Sequence, residues 1–150
     1  MSFDVRAARA GDAAAIGQLE AEARAALVDT RGGNALLAEQ PAVHDWTAVI
    51  GAADRRVWVS TIDEVVVGYL ELITPPSAGT GVVQQVYVHP EARELGFGDY
   101  MLEAAIHAIK ELGGEVVESF ALPGDRDTKN LYERAGVTAR KIIVSKRLTS

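Results

Sequence analysis

A glycine-containing segment of the chain combines residue types that could bind an anion. Residues 86–98 read Val-Tyr-Val-His-Pro-Glu-Ala-Arg-Glu-Leu-Gly-Phe-Gly, which is typical of a strand, a turn and the start of a helix. Glycines before a helix let the backbone approach a ligand closely, and the unpaired N–H groups of the first helical turn point toward it. Arg93 adds a guanidinium that suits phosphate oxygens. The segment therefore predicts a pyrophosphate site.

The same glycines fail two common nucleotide-binding patterns. No Gly-Lys-Ser/Thr follows them, and the segment comes after several strands in succession and not after the first strand of a βαβ unit. A P-loop or an ordinary dinucleotide fold is therefore disfavoured. Glycines also occur in loops for steric reasons alone, so a purely structural role stays open.

Two motifs in this part of the chain resemble a known family. Arg93-x-x-Gly96-x-Gly98, after a strand ending Val-Tyr-Val-His-Pro, resembles the acetyl-CoA signature Gln/Arg-x-x-Gly-x-Gly/Ala of the GNAT superfamily of N-acetyltransferases. Residues 130–136, Asn-Leu-Tyr-Glu-Arg-Ala-Gly, resemble the later Asn-x-Tyr-x-x-x-Gly helix of that family. The resemblance follows the order of elements along the chain and is sharp only between residues 82 and 136.

The resemblance implies acetyl-CoA as cosubstrate and a set of residues that bind it. Pantetheine would pair with free backbone groups of the strand that ends at Val88, in a wedge between that strand and the next one. The pyrophosphate would lie on the loop and helix start, and Asn130 would hydrogen-bond the cofactor. The implied cofactor residues are Val86, Val88, Arg93, Glu94, Leu95, Gly96, Phe97, Gly98 and Asn130.

Tyr132 is the candidate general acid, because it falls on the tyrosine position of the family. Acyl transfer from a thioester expels a thiolate, whose conjugate acid has a pKa of about 8.5, and a nearby phenol can donate a proton or a hydrogen bond to it. The alternative is that Tyr132 only packs beside Leu131 on a short amphipathic helix.

The general base is harder to identify. Several members of the superfamily carry a Glu where this chain has Val82, and the amides of Gln84 and Gln85 cannot abstract a proton. Glu71 is the nearest carboxylate in sequence, but symmetric closure of the loop over residues 74–80 turns it to the opposite face of the sheet. A one-residue register shift reverses that. A water held by Gln84, or an acceptor that arrives neutral, are the alternatives.

Two residues near the glycines depart from the family pattern. Glu94 stands where Gly is frequent, and Asp99 places a negative charge beside the expected pyrophosphate. Asp99 favours the helix dipole by roughly 0.3 to 1 kcal/mol but repels a second anion. We therefore expect a modest affinity for the cofactor.

These residues need a mixed α/β scaffold to bring them together. The apolar pattern changes period several times along the 150 residues, with Gly, Pro or Asp at each change, and shows no repeat. We expect one domain over residues 1–150, with a mostly antiparallel central sheet, a splayed strand pair and flanking helices. The expected strands are Phe3–Ala7, Arg56–Ile62, Val65–Ile73, Gly81–Val88, Glu115–Ala121 and Val137–Leu148, and the expected helices are Asp12–Leu27, Ala42–Ala52, Gly98–Leu112 and Asp127–Ala135.

Composition and charge exclude several classes of protein. The chain has no Cys, which excludes a disulfide scaffold, a thiol nucleophile and any Cys-ligated metal site. Its three His show no ligand spacing, so we expect no metal. The net charge of -6 argues against nucleic acid as a partner, and no stretch reaches the length of a membrane span. We expect a cytoplasmic protein with no membrane partner, and a homodimer is a further expectation.

The sequence thus predicts an acetyl-CoA-dependent N-acyltransferase in which an amine attacks the thioester directly, in a ternary complex. The acceptor is a small-molecule amine or the amine of a peptide or protein, bound between residues 29–46 and the strands over residues 65–88. Trp46 lies near that acceptor region. The main alternative is a non-catalytic acyl-CoA-binding or regulatory module on the same fold, and an interaction protein without a cofactor is a third.

Overall fold

The computed structural model describes residues 1–148, which form a five-stranded sheet flanked by helices on both faces. The strands follow one another in the order β1-β2-β3-β4-β5. The first four are antiparallel, and β5 is parallel to β4. The predicted mixed α/β fold is confirmed. The strands are β1 (Phe3–Ala7), β2 (Arg55–Ile62), β3 (Val65–Ile73), β4 (Thr80–Val88) and β5 (Val116–Glu118), and the helices are α1 (Ala13–Leu27), α2 (Gly33–Glu39), α3 (Trp46–Gly51), α4 (Phe97–Glu111) and α5 (Arg126–Arg134).

A two-residue turn joins β2 to β3, as the sequence predicted. Asp63 and Glu64 have φ of 49° and 70°, and Ile62 pairs with Val65 across the turn. Two successive residues with positive φ match the right-handed twist of the strands that they connect. The turn also pairs Thr61 with Val66, and an irregularity then shifts the register so that Ser60 pairs with Gly68 and Val57 with the candidate site residue Glu71.

The two faces of the sheet carry separate apolar clusters because successive side chains of a strand alternate. On β3, Leu70 and Leu72 face α4 and α5, whereas Tyr69 faces α1 and α3. Gly81 of β4 lets α4 approach closely, since a Cβ at this position would lie 2.5 Å from Ile109. Helices therefore cover both faces of the sheet, α4 and α5 on one side and α1 and α3 on the other.

The region between α1 and β2 is more helical than the sequence predicted. No helix was expected between Leu27 and Ala42, but α2 occupies Gly33–Glu39. The helix expected from Ala42 begins only at Trp46, because Asp45 is the N-cap and accepts a hydrogen bond from the Ala48 N–H at 3.2 Å.

The predicted strand at Val137–Leu148 is wrong, because these residues form no strand. Ile142, Ile143 and Val144 are 84%, 81% and 88% exposed. A β-branched run is a strand only where a neighbouring strand offers backbone partners and a face to pack on. β5 is also shorter than predicted, ending at Glu118.

Candidate active site

The glycine loop has the backbone geometry of a helix N-terminus open to a ligand. A 3-10 turn spans Pro90–Leu95, and Gly96 follows it with a φ of +83° as the residue that precedes α4. This left-handed conformation explains the Gly at position 96. The first N–H groups of α4 have no acceptor within the helix, so they are available to an anion.

The side chains of this loop divide into buried and exposed ones. Phe97 is 3% exposed and packs edge-to-face on Phe3, with ring centroids 5.8 Å apart, so only its backbone can contact a ligand. Glu94 and Leu95 are exposed. A Cβ on Gly98 would meet Leu131 at 3.5 Å, which is ordinary contact. Packing against α5 alone therefore does not require a glycine at position 98.

Arg93 lies along the end of β4. Its Nε donates to the Val88 carbonyl at 2.9 Å, and its guanidinium carbon lies 5.4 Å from the centroid of the Tyr87 ring. One terminal nitrogen is 3.9 Å from a carboxylate oxygen of Asp127. The Val88 carbonyl that was expected to face pantetheine is therefore occupied by Arg93.

The negative charge of Asp99 is paired with Arg134, which the sequence analysis did not foresee. Nε and a terminal nitrogen of Arg134 bind the two carboxylate oxygens of Asp99 at 2.9 and 3.2 Å. The hydrogen bond to Asp99 raises the pKa of Arg134. Because Arg134 compensates the carboxylate, the repulsion expected between Asp99 and a bound pyrophosphate is reduced.

The splayed strand pair is confirmed at the junction of β4 and β5. Their last paired residues are Val82 and Glu118, so β4 continues to Val88 without a strand partner on that side. The His89 N–H donates to Val67 on the β3 side. Since backbone groups alternate along a strand, those of Val86 and Val88 point into the wedge.

Tyr132 lies at the apex of this wedge, bonded to a serine that sequence reasoning missed. Its hydroxyl is 2.6 Å from Ser119 Oγ, which donates to the Val83 carbonyl at 2.8 Å. Burial raises the pKa of Tyr132 to about 12 against the opposing effect of the Ser119 hydrogen bond, so the phenol is protonated at neutral pH. Asn130 is exposed on α5. No motif marks Ser119, because its partners come from different elements.

A cavity of about 480 Å³ opens on the other face of β4. The expectation that Glu71 faces away from Gln84 is wrong, because a β-bulge changes the register. Glu71 pairs with Gln85 while Leu72 pairs with Val83, which leaves Gln84 as the extra residue. Glu71, Gln84 and Gln85 consequently line the same cavity.

Gln85 joins two buried carboxylates in the wall of this cavity. Its side-chain nitrogen donates to Glu71 at 2.9 Å and to Glu20 at 3.3 Å, and its oxygen accepts from the Tyr69 hydroxyl at 2.7 Å. Arg55 Nε lies 3.3 Å from the other oxygen of Glu71. Every polar atom of Gln85 therefore has a partner, which fixes the orientation of its amide.

Glu20 connects the cavity to the loop before α3. It accepts hydrogen bonds from the Val43 N–H at 3.2 and 3.1 Å and from the Trp46 indole at 3.2 Å. Trp46 is 5% exposed and packs edge-to-face on Tyr69 at 5.5 Å. Trp46 is thus a core residue that anchors the wall of the cavity.

Within residues 1–148, the structure has neither a metal-binding cluster nor a membrane-spanning helix. In that range no group of three or more His, Asp or Glu side chains is arranged to hold a metal ion. His107 pairs with Glu111 at 2.9 Å, and His89 Nδ1 accepts from the Glu91 N–H. Among the described helices, none is long and apolar enough to cross a membrane.

Comparison with known proteins identifies the family. The sequence model described as "Acetyltransferase (GNAT) family" matches residues 21–137, which is more than half of the chain. No curated protein matches the sequence significantly. The chain belongs to the acetyltransferase (GNAT) family, and its class is that of an N-acetyltransferase.

Solved structures share the fold at low sequence identity. The chain is similar to AAC(6')-Iy in complex with the bisubstrate analog CoA-S-monomethyl-acetylneamine, with 15% identity, 100% of both chains covered and a TM-score of 0.73. A ribosomal-protein-alanine N-acetyltransferase from Brucella melitensis biovar Abortus 2308 has 16% identity, covers 99% of this chain and 100% of its own, and has a TM-score of 0.72. An aminoglycoside acetyltransferase from an uncultured soil metagenomic sample is 17% identical to this chain, with a TM-score of 0.72. The match covers 99% of this chain and 96% of the other.

Proposed function

We propose that this protein transfers the acetyl group of acetyl-CoA to a cationic amine by direct attack in a ternary complex. The proposal depends on one juxtaposition. The Ser119–Tyr132 pair contacts β4 at Val83 from the wedge side, and the acidic cavity reaches Gln84 and Gln85 from the other side. A thioester held along this part of β4 would have an acid beside its sulfur and an amine site opposite.

The cofactor is proposed to run from the glycine loop into the wedge. The pyrophosphate would accept hydrogen bonds from N–H groups of residues 95–98, and pantetheine would pair with the backbone of Val86. Arg93 would leave the Val88 carbonyl and turn to the phosphates. Asn130 is exposed on α5, and its amide is proposed to hydrogen-bond the cofactor.

The chemistry needs polarisation of the thioester and a donor for the thiolate. A backbone N–H of β4 between Val83 and Val86 is proposed to bind the carbonyl oxygen as negative charge develops there. Tyr132 is proposed to protonate the sulfur, since its phenol keeps its proton over the working pH range. With no Cys and no Ser-His-Asp arrangement in the sequence, attack by the amine itself is the simplest route.

The acceptor is proposed to be a cationic amine in the cavity, which is lined by the carboxylates of Glu20, Asp45 and Glu71 and by the guanidinium groups of Arg24 and Arg55. Carboxylates outnumber guanidinium groups there, and an excess of negative charge in a partly enclosed site favours an ammonium. One of the similar structures is named as an aminoglycoside acetyltransferase and another as a ribosomal-protein-alanine N-acetyltransferase, so a small amine and a peptide amine both deserve testing. Glu71 is proposed as the base, because the bulge places it in the cavity.

Release of free CoA across a panel of amines tests this function. The panel should contain aminoglycosides, polyamines and peptides with a free N-terminus. We expect Glu71→Gln to lower kcat by about 10² to 10⁴, the usual contribution of a general base, and to retain acetyl-CoA binding. Glu115→Gln is the matched control, since Glu115 is exposed and outside the cavity. Equal rates for parent and Glu71→Gln, with a confirmed acceptor, would show that Glu71 is not the base.

A non-catalytic acyl-CoA-binding module is the second candidate. Val82 favours it, because by resemblance several family members carry a Glu there. Calorimetric titration with acetyl-CoA, together with the amine panel, separates the two functions. Tight binding of acetyl-CoA without release of CoA for any amine would favour the module.

A further inference from the structure

We infer that Ser119 is a positioning residue for the proposed acid, because its hydroxyl accepts the Tyr132 hydrogen in the resting protein and can turn to donate to the phenolate that proton transfer leaves. This inference rests on the proposed function of Tyr132. It concerns a residue that no motif identifies, and it follows from the hydrogen bonds at the apex of the wedge.

The direction of the hydrogen bonds follows from the number of hydrogens available. A serine hydroxyl has one hydrogen to donate and two lone pairs. Ser119 donates its hydrogen to the Val83 carbonyl at 2.8 Å, and a carbonyl cannot donate in return. Tyr132 must therefore be the donor in the 2.6 Å contact with Ser119 Oγ. The chain of bonds runs from phenol to serine to the backbone of β4.

The position of Ser119 makes this chain part of the wedge. Ser119 follows Glu118, the last residue of β5 that pairs with β4, and Val83 follows Val82, its partner. The serine hydroxyl thus bonds β4 where the backbone ladder stops. It holds Tyr132 at the point where the two strands separate.

Transfer of the acetyl group would reverse one of these bonds. The C–N bond forms as the C–S bond breaks, the electron pair goes to sulfur, and sulfur takes the phenolic proton once the Tyr132 hydroxyl turns from Ser119. The nitrogen of a bound ammonium gives up two protons in all, one before it attacks and one after the C–N bond has formed. The proposed base in the cavity takes each of them in turn and releases it to solvent. Tyr132, left as a phenolate, can then accept the hydrogen of Ser119 once that hydroxyl turns from Val83, and it regains a proton from solvent.

A double-mutant cycle between Ser119 and Tyr132 tests the inference. We expect Ser119→Ala to lower kcat about 10- to 100-fold, the range for a hydrogen bond to a charged group, while KM for acetyl-CoA changes less than about threefold. Ser119→Thr keeps the hydroxyl and should restore most of the rate. In a Tyr132→Phe background, Ser119→Ala should have no further effect.

The cycle separates this inference from a structural role and from the proposed function. Ser119→Ala removes the bond to Val83 in both backgrounds, so a purely structural effect would lower kcat by the same factor in each. That result would overturn the inference about Ser119 but leave the proposed function intact. If the Tyr132→Phe variant has the same kcat as the parent protein, Tyr132 is not the general acid.

A measurement without turnover covers the case in which no amine reacts. In protein labelled with ¹³C-tyrosine, the resonance missing from Tyr132→Phe identifies Tyr132, and its titration gives the pKa. The Ser119 hydrogen bond lowers the pKa of Tyr132, so Ser119→Ala should raise it above the parent value. Ser119→Cys is the second variant if the alanine variant does not fold. An unchanged or lower pKa in the folded variant would overturn the inference.

Discussion

At the scale of single residues, buried polar groups decide what each part of the site can do. Tyr132 and Glu71 are both nearly buried, yet each has hydrogen-bonding partners that keep it in one orientation. Burial without partners would cost about 1 to 3 kcal/mol for each group. Their chemistry therefore depends on neighbours, and changes to those neighbours are as informative as changes to the residues themselves.

Tyr132→Phe should separate catalysis from folding. The ring keeps its packing against the cluster on the α4 face, and only the proton donor is lost. We expect kcat to fall by about 10² to 10⁴, or roughly 3 to 5 kcal/mol of barrier, with acetyl-CoA affinity unchanged. Steady-state kinetics and calorimetry measure both. Failure of the variant to fold would assign the hydroxyl a structural role.

Asp12 predicts a pH dependence of stability. Hydrogen bonds from Arg6, at 2.7 and 3.0 Å, and from the Arg9 N–H lower the pKa of Asp12 below its usual 3.8. The stabilisation of the fold by ionised Asp12 is therefore fully present above pH 3.8 and is lost as the pH falls through the lowered pKa. We expect Asp12→Asn to cost roughly 1 to 3 kcal/mol at pH 7 and much less at pH 2, measured by urea unfolding. Equal losses at both pH values would contradict this.

At the scale of elements, the glycine loop and the bulge in β4 place the two halves of the site. Gly96 lets α4 start directly after the 3-10 turn, and Gln84 is the extra residue that returns Glu71 to the cavity. Both features are local irregularities of the backbone, and each is centred on one residue. A variant at that residue can therefore test what the feature contributes to the site.

Gly96→Asn should distinguish backbone strain in the glycine loop from steric obstruction of a bound pyrophosphate. Asn tolerates the left-handed conformation better than other non-glycine residues, so we expect little loss of stability. Its side chain should still hinder an anion, and acetyl-CoA should bind at least about tenfold more weakly in calorimetry. Gly113→Asn is the matched control, since Gly113 also has a positive φ, of +80°, and follows the other end of α4. Parent-like affinity in Gly96→Asn would count against the pyrophosphate site.

At the scale of the whole molecule, charge and exposure are unevenly distributed. The chain carries a net charge of -6, yet residues 137–148 contain Arg140, Lys141, Lys146 and Arg147 and no acidic residue. Val137 packs against the cluster on the α4 face, but Ile142, Ile143, Val144 and Leu148 are exposed. The segment therefore adds little to the packing of the sheet and helices.

Removal of residues 140–150 should leave the rest of the protein folded. Because residues 140–148 are exposed, we expect the free energy of unfolding to change by less than about 0.5 kcal/mol. In limited proteolysis, trypsin should cleave within this segment first, and mass spectrometry of the remaining fragment identifies the cleavage site. A loss of several kcal/mol, or resistance to cleavage, would show that the segment packs against another surface, for which the expected homodimer is the first candidate.

The sequence determined the fold class, the meander of strands, the glycine loop and the family, because these depend on local periodicity and on motifs within short segments. It could not give the position of Glu71, since one extra residue in β4 reverses the face on which a side chain lies. Nor could it pair Ser119 with Tyr132 or Arg134 with Asp99, which lie on different elements. The β-branched run near the C-terminus was misread because strand formation needs a partner strand. Secondary-structure propensity depends on residues that are close in sequence. Strand register and long-range hydrogen-bond partners are decided only when the elements pack against one another.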